Sequence, residues 1–286
     1  MKSCITLTGL LIVFFFILTA NNFVGSNIKT DMPEVSRAVK NLPWASGGEF
    51  LRAQQEHSAQ VLMAAYCVVF ENASSNEKHN IRLAAAKIAG TIIEPDEVFS
   101  QNEVAGPYDE EHGYKAGQSY AGSEIVTTIG GGVCKIATAL YNVSVLSNLE
   151  IIERYNHFMP VTYVPLGQDA TVVYGSKDLK FKNTALFPLL IWAEGIGNRL
   201  YLALYGQEKP PGVKWKHRVL TKIQAPVVYE LNPGLAQGEE QTLIEGLEGA
   251  LVETWVIVTG FDGQTETKYM GISQYWPLPC VIEKNE

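Results

Sequence analysis

Three residues could do covalent chemistry together: Cys134, His157 and Asp169. Cys134 follows Gly130-Gly131-Gly132-Val133 and opens a helical pattern. Glycines let backbone take conformations and approaches closed to other residues. The first turn of a helix presents unpaired N–H groups and partial positive charge, which favour a thiolate over a thiol. A cysteine nucleophile also needs a base and a group that orients the base. His157 is the next histidine along the chain and would take the thiol proton. Asp169, in Gly167-Gln168-Asp169, would fix the imidazole tautomer. Around them, Gly131, Gly132 and Val133 offer backbone N–H groups for a developing oxyanion. Lys135 and Tyr141 are side chains that could support the thiolate or a substrate. Each residue also has a plainer role: a small buried thiol, a structural histidine, a turn aspartate.

These residues must be carried by a helix and by the segments after it. Lys78–Ile92 carries Ile81, Ala84, Ala85, Ile88 and Ala89 on one face and is expected to be a helix ended by Pro95-Asp96-Glu97. Cys134–Asn148 is the second helix, with Ile136, Leu140, Val143 and Leu146 toward the core. Cys134, Thr138, Tyr141 and Asn142 fall on an adjoining, more polar face. Gln60–Glu71 reads as a strand, and short strands fit at Ile151–Arg154, Pro160–Val164, Ala170–Tyr174 and Leu179–Phe181. A hairpin is expected from Leu189–Ala193 and Arg199–Tyr205. Val98–Gly122 reads as loop. The fold class is therefore α+β, helices packed on a mainly antiparallel sheet, followed by a small all-β module.

Four segments are expected. Residues 1–25 hold one early lysine and an apolar run, Cys4–Ala20, and form an export signal or an N-terminal membrane anchor. Residues 26–57 form a linker, with a short helix near Glu34–Lys40. Residues 58–208 form the α+β domain. Lys209-Pro210-Pro211-Gly212 breaks the chain, and residues 219–283, with spaced glycines, form the β module. A net charge of −8 argues against nucleic acid as a partner. Cys67 and Cys280 could pair, and Cys134 would then stay free. The cysteine and histidine spacings do not make a zinc site, and neither metal nor cofactor is required. The triple glycine lacks the Gly-Lys-Ser/Thr of a phosphate loop.

Residues 60–206 resemble the VanW family. The resemblance rests on Asn80–Ala85, Phe99-Ser100-Gln101-Asn102, Gly106-Pro107, Gly130–Cys134, Leu140-Tyr141-Asn142, Glu153-Arg154, His157, Tyr163-Val164-Pro165, Asp169–Val172 and Asp178–Asn183. Residues 219–283 look like a G-five domain, a small β module of bacterial surface proteins, through Tyr229, Gly246, Gly249 and Gly263. The family takes its name from glycopeptide-resistance gene clusters of Gram-positive bacteria. The resemblance implies an extracytoplasmic protein, secreted or held at the membrane by its N-terminal segment. Peptidoglycan, through its peptides or glycans, would be its partner. It implies no settled reaction. Family members carry Gln after the cysteine where this chain has Lys135, a cation that could lower the thiol pKa further. Two functions follow: a cysteine peptidase, amidase or transpeptidase of the wall, or a non-catalytic wall-binding or scaffold protein using aromatic residues such as Tyr114, Tyr120, Tyr163, Trp192 and Trp215.

Overall fold

Along Arg199–Tyr205 nearly every side chain is apolar, so a strand there has two faces to cover. The computed structural model, which describes residues 34–121 and 124–285, shows how this is done. The first elements are β1 (Arg37–Ala38), α1 (Gly48–Glu56), β2 (Val61–Val69), α2 (Ser75–Ile88) and β3 (Ile92–Ile93). Then come β4 (Val98–Ser100), α3 (Gln101–Ala105), the hairpin β5 (Ala116–Ala121) and β6 (Glu124–Ile129), and α4 (Cys134–Leu146). The strands β7 (Glu150–Glu153), β8 (Lys180–Lys182), β9 (Leu189–Ile196) and β10 (Arg199–Gly206) complete this half. An antiparallel sheet of order β1-β2-β10-β9-β3 forms its centre. Tyr66, Val68, Leu200, Leu202 and Leu204 face Ile81 and Ile88 of α2 and Ile136 and Leu140 of α4. The alternate residues, Ala65, Cys67, Tyr201, Ala203 and Tyr205, face Val39, Leu42, Trp44 and Phe50. This is the two-periodicity of a strand used on both sides.

Residues 37–56, expected as linker, are thus part of the fold, and the short helix expected near Glu34–Lys40 is β1 instead. The reason is burial. The second sheet face needs a cover, and Phe50 packs between Trp192 (5.2 Å) and Tyr205 (4.8 Å) while Trp44 Nε1 donates to Tyr205 Oη at 2.9 Å. Helix α2 starts three residues before the expected Lys78, because Ser74 and Glu77 form a capping box. It stops at Ile88, ahead of Gly90 with φ +87°. Within 98–122, read as loop, stand β4, α3 and β5, and β5 pairs with β6.

After Pro211 the chain enters β11 (Gly212–Ile223), seven residues earlier than the expected module start. The remaining strands are β12 (Val227–Leu231), β13 (Glu240–Ile244), β14 (Gly249–Thr259), β15 (Thr265–Tyr275) and β16 (Cys280–Lys284). They make two three-stranded sheets, β11-β14-β15 and β12-β16-β13. The first packs on the α+β half, with Val256 and Val258 buried in the same core as α4 and Trp215 packed 5.5 Å from Tyr141. Cys67 and Cys280 lie in different sheets and are not joined by a disulfide. Among the described residues no helix is long and apolar enough to cross a membrane. The expected export segment, residues 1–25, lies outside them.

Candidate functional site

The glycine turn is set by contacts on three sides. Gly130 and Gly132 take φ +81° and +105°, where L side chains are strained. Gly131 lies against the β5 backbone, and a Cβ there would sit 2.3 Å from the Gly117 carbonyl. Asn80 of α2 donates to Gly131 O (2.9 Å) and to Lys115 O (2.8 Å), locking the turn to the hairpin. Gln101 Nε2 donates to Val133 O at 3.3 Å. Cys134 emerges from this frame as the first residue of α4, partly exposed.

Helix α4 then lays out its partner segment. Cys134, Thr138 and Asn142 recur every four residues and so share one face. Asn142 Nδ2 donates to Gln168 O at 2.9 Å. The Thr138 hydroxyl donates to Ala170 O (3.2 Å) and accepts from Ala170 N–H (3.1 Å). Cys134 Sγ lies 3.3 Å from Thr171 Oγ1 and 3.7 Å from Val172 O. Side chains of the helix thus satisfy backbone that a neighbouring strand would otherwise satisfy. For that reason the strand expected at Ala170–Tyr174 is irregular, with isolated bridges at Tyr155–Thr171 and Val173–Lys177; the strand expected at Pro160–Val164 is also absent.

Pinned this way, Asp169 meets His157. Asp169 Oδ2 accepts from His157 Nδ1 and from its backbone N–H, both at 2.7 Å. A carboxylate only accepts, so Nδ1 carries the proton and Nε2 is left for Cys134, with which His157 is hydrogen-bonded. The other oxygen, Oδ1, accepts from Arg154 Nη2 (3.0 Å) and from Tyr275 Oη (2.5 Å). His157 and Asp169 are 4% and 1% exposed, so water screens neither.

The electrostatics follow from these contacts. Burial pushes the Cys134 thiol pKa up, but the hydrogen bond and charge of His157, with Thr171, outweigh it and bring it down to about 7. Burial pushes His157 down, but its bonds to Asp169 and Cys134 raise it to about 9. Burial likewise raises Asp169, but His157 and Arg154 hold it down at about 2. Between pH 7 and 9 this arrangement is a thiolate beside an imidazolium, oriented by a carboxylate.

Residues 76–205 match the family described as VanW like protein. This part of the chain is VanW-like. Over 176 residues, 62% of this chain and 57% of the relative, it is 31% identical to the uncharacterized protein YoaR of Bacillus subtilis. Over 140 residues, 47% of this chain and 51% of the relative, it is 29% identical to the vancomycin B-type resistance protein VanW of Enterococcus faecalis. The chain spans about half the length of these curated relatives. Among solved structures it is similar to the IgA1 protease G5 domain, at 25% identity over 28% of this chain and 95% of that one, with a TM-score of 0.18. It is also similar to HP0197-G5, at 19% identity over 25% of this chain and 96% of that one, with a TM-score of 0.16.

The VanW-like region does not use every residue as the sequence reading expects. Gly131 N–H donates to Thr128 O and Val133 N–H to Gly130 O, both at 3.2 Å, so these amides are spent inside the turn. Gly132 serves the turn through its positive φ, beside Glu77. Lys135 Nζ pairs with Glu77 Oε1 (3.3 Å) and stands 5.3 Å from the Tyr163 ring centroid, so its charge is partly neutralised. Tyr141 is a core residue, 2% exposed, with the Arg154 guanidinium stacked 5.0 Å above its ring. Tyr114 is likewise buried. Sequence reasoning missed Arg154, Thr171 and Tyr275 as members of the site. Arg154 had a signal, its place beside Glu153 in the family pattern, but no chemistry attached to it.

A groove of about 660 Å³ is lined in part by Asn72, Glu77, Gln118, Lys135 and Tyr163. Cys134 and His157 are not on its lining. Two of its lining residues are their neighbours: Lys135 follows Cys134 in the chain, and the Tyr163 ring stands edge-on to His157 with centroids 6.4 Å apart.

Proposed function

We propose that this chain is an exported cell-envelope cysteine enzyme that acts on peptidoglycan peptides as a peptidase, amidase or transpeptidase. The observation that carries this reading is the hydrogen-bonded order Asp169–His157–Cys134 at the start of a helix. In the proposed cycle the Cys134 thiolate attacks an amide carbonyl carbon, forming a C–S bond and a tetrahedral oxyanion. The N–H of Cys134 itself, in the first turn of α4, is the donor this reading assigns to the developing charge. His157 gives its Nε2 proton to the departing amine as the C–N bond breaks, leaving a thioester. Water, deprotonated by His157, then releases the acid, or a second amine takes the acyl group. Asp169 stays ionised throughout and holds the tautomer. The envelope setting and the wall-peptide substrate lean on the VanW-like region, on the relative named for vancomycin resistance and on the apolar N-terminal run.

A binding role without catalysis has one observation in its favour. Phe158 and Trp276 are exposed, 47% and 46%, and stack at 6.1 Å with planes 21° apart, a surface suited to a sugar ring. Turnover of purified muropeptides by the wild type and by Cys134→Ala separates the two. The enzyme reading expects turnover to vanish in Cys134→Ala while wall pull-down persists. Equal turnover by both proteins would sink it, and wall binding without turnover in either would favour the binding role.

A further inference from the structure

The C-terminal sheet enters the site from a part of the chain more than a hundred residues away. Strand β15 ends alongside residues 154–158. Arg154 Nη1 donates to Ser273 Oγ, Asn156 Nδ2 to Gln274 O and Trp276 N–H to Phe158 O, each at 2.8 Å. Between these contacts Tyr275 is fully buried. Its hydroxyl accepts from Gly167 N–H at 2.8 Å and donates to Asp169 Oδ1 at 2.5 Å. Beside it, Gln168 Nε2 donates to His217 Nε2 at 2.9 Å, and His217 Nδ1 in turn donates to Thr254 Oγ1 at 3.2 Å. Gly167 has φ +87°, and a Cβ there would lie 2.3 Å from Thr254 Oγ1. The docking is close enough to require glycine.

We propose that Tyr275 is a positioning residue of the Cys134 site and that the C-terminal sheet completes that site. What must be fixed is the plane of the Asp169 carboxylate. Both donors to Oδ2 come from His157, the residue being positioned. The donors that hold the other oxygen from outside this pair are Arg154, itself tied to Ser273, and Tyr275. The charged and titratable groups facing Asp169 are therefore Arg154, His157, Tyr141 and Tyr275, from three separate parts of the fold. Tyr275 also ties Asp169 to the Gly167 backbone through one oxygen, so losing the hydroxyl removes one of the two donors to Oδ1 and leaves a buried N–H unpaired. This inference rests on the enzyme reading for its functional meaning, but not for its test.

The test is the pH dependence of Cys134 alkylation by iodoacetamide in the full chain, read by mass spectrometry of the Cys134 peptide, with Cys280 as internal control. Tyr275→Phe keeps the ring and removes only the hydroxyl. The expected result is an upward shift of the Cys134 midpoint by about one pH unit and about a fivefold slower reaction at pH 7, with Cys280 unchanged. A purely structural role would lower the melting temperature without moving the midpoint. A folded Tyr275→Phe protein with the wild-type midpoint overturns the proposal. If Tyr275→Phe does not fold, Ser273→Ala decides, since it releases Arg154 from the same strand: an upward shift supports the proposal and an unchanged midpoint overturns it. A wild-type thiol titrating like an ordinary cysteine would instead count against the enzyme reading, so the two failures are distinct.

Discussion

Asp169→Ala is expected to destabilise the protein by about 3–5 kcal/mol, among the largest effects of any single substitution here. The carboxylate is buried and receives four hydrogen bonds, two from His157 and one each from Arg154 and Tyr275. Removing it leaves the Arg154 guanidinium, stacked over the buried Tyr141 ring, without its carboxylate counter-charge. It also leaves the Tyr275 hydroxyl and the His157 N–H with no acceptor at that place. Urea unfolding monitored by tryptophan fluorescence measures the loss; a change under about 1 kcal/mol would mean that the network bears little weight. Asp169→Asn separates chemistry from stability. It keeps the shape, but an amide N–H facing Nδ1 would put the imidazole proton on Nε2, where the base must be free. Turnover is expected to fall by about 10³–10⁴, the scale seen when a catalytic histidine is held in the wrong tautomer.

His157→Gln is expected to silence the thiol. Burial alone pushes the Cys134 pKa up, and in the native protein the contacts of His157 reverse that. Without the imidazolium the pKa returns to the ordinary cysteine range or above. The thiolate fraction at pH 7 then falls from about one half to about one thirtieth or less, and alkylation slows by roughly fifteenfold or more. Turnover falls further, because the leaving amine also loses its proton donor. Stopped alkylation assays at pH 7 on the two proteins read this directly, and equal rates would remove His157 from the account.

Sequence and structure agree where the signal is local. A glycine run before an apolar helical period places Cys134 at a helix start, and the same period puts Thr138 and Asn142 beside it. His157 is also legible, as the first histidine after the helix, whereas Asp169 is preceded by the carboxylates Glu150 and Glu153 and is marked by its place after Gly167-Gln168. What holds them was not legible. The segment around Asp169 has a strand-like pattern, yet its backbone is satisfied by Thr138 and Asn142 rather than by another strand. Tyr141 falls on the polar face by spacing but is drawn into the core by Trp215, a residue of β11. Tyr275 carries no local mark at all, since its role exists only once β15 docks. The cover of the second sheet face was legible in principle. A strand apolar at nearly every position, as at Arg199–Tyr205, demands it, and the aromatic residues Trp44 and Phe50 were available.

The most direct measurement of the central claim is the alkylation rate of Cys134 in the wild-type protein from pH 5 to 10, with turnover followed over the same range. A group with a lowered pKa gains its charged, reactive form early as pH rises, so the account predicts a rise in alkylation centred at about pH 7. His157, raised to about 9, keeps its proton until later, so turnover rises through about 7, peaks between the two values and falls through about 9. A single alkylation rise centred near the ordinary cysteine value of about 8.5, with no effect of His157→Gln, would contradict it.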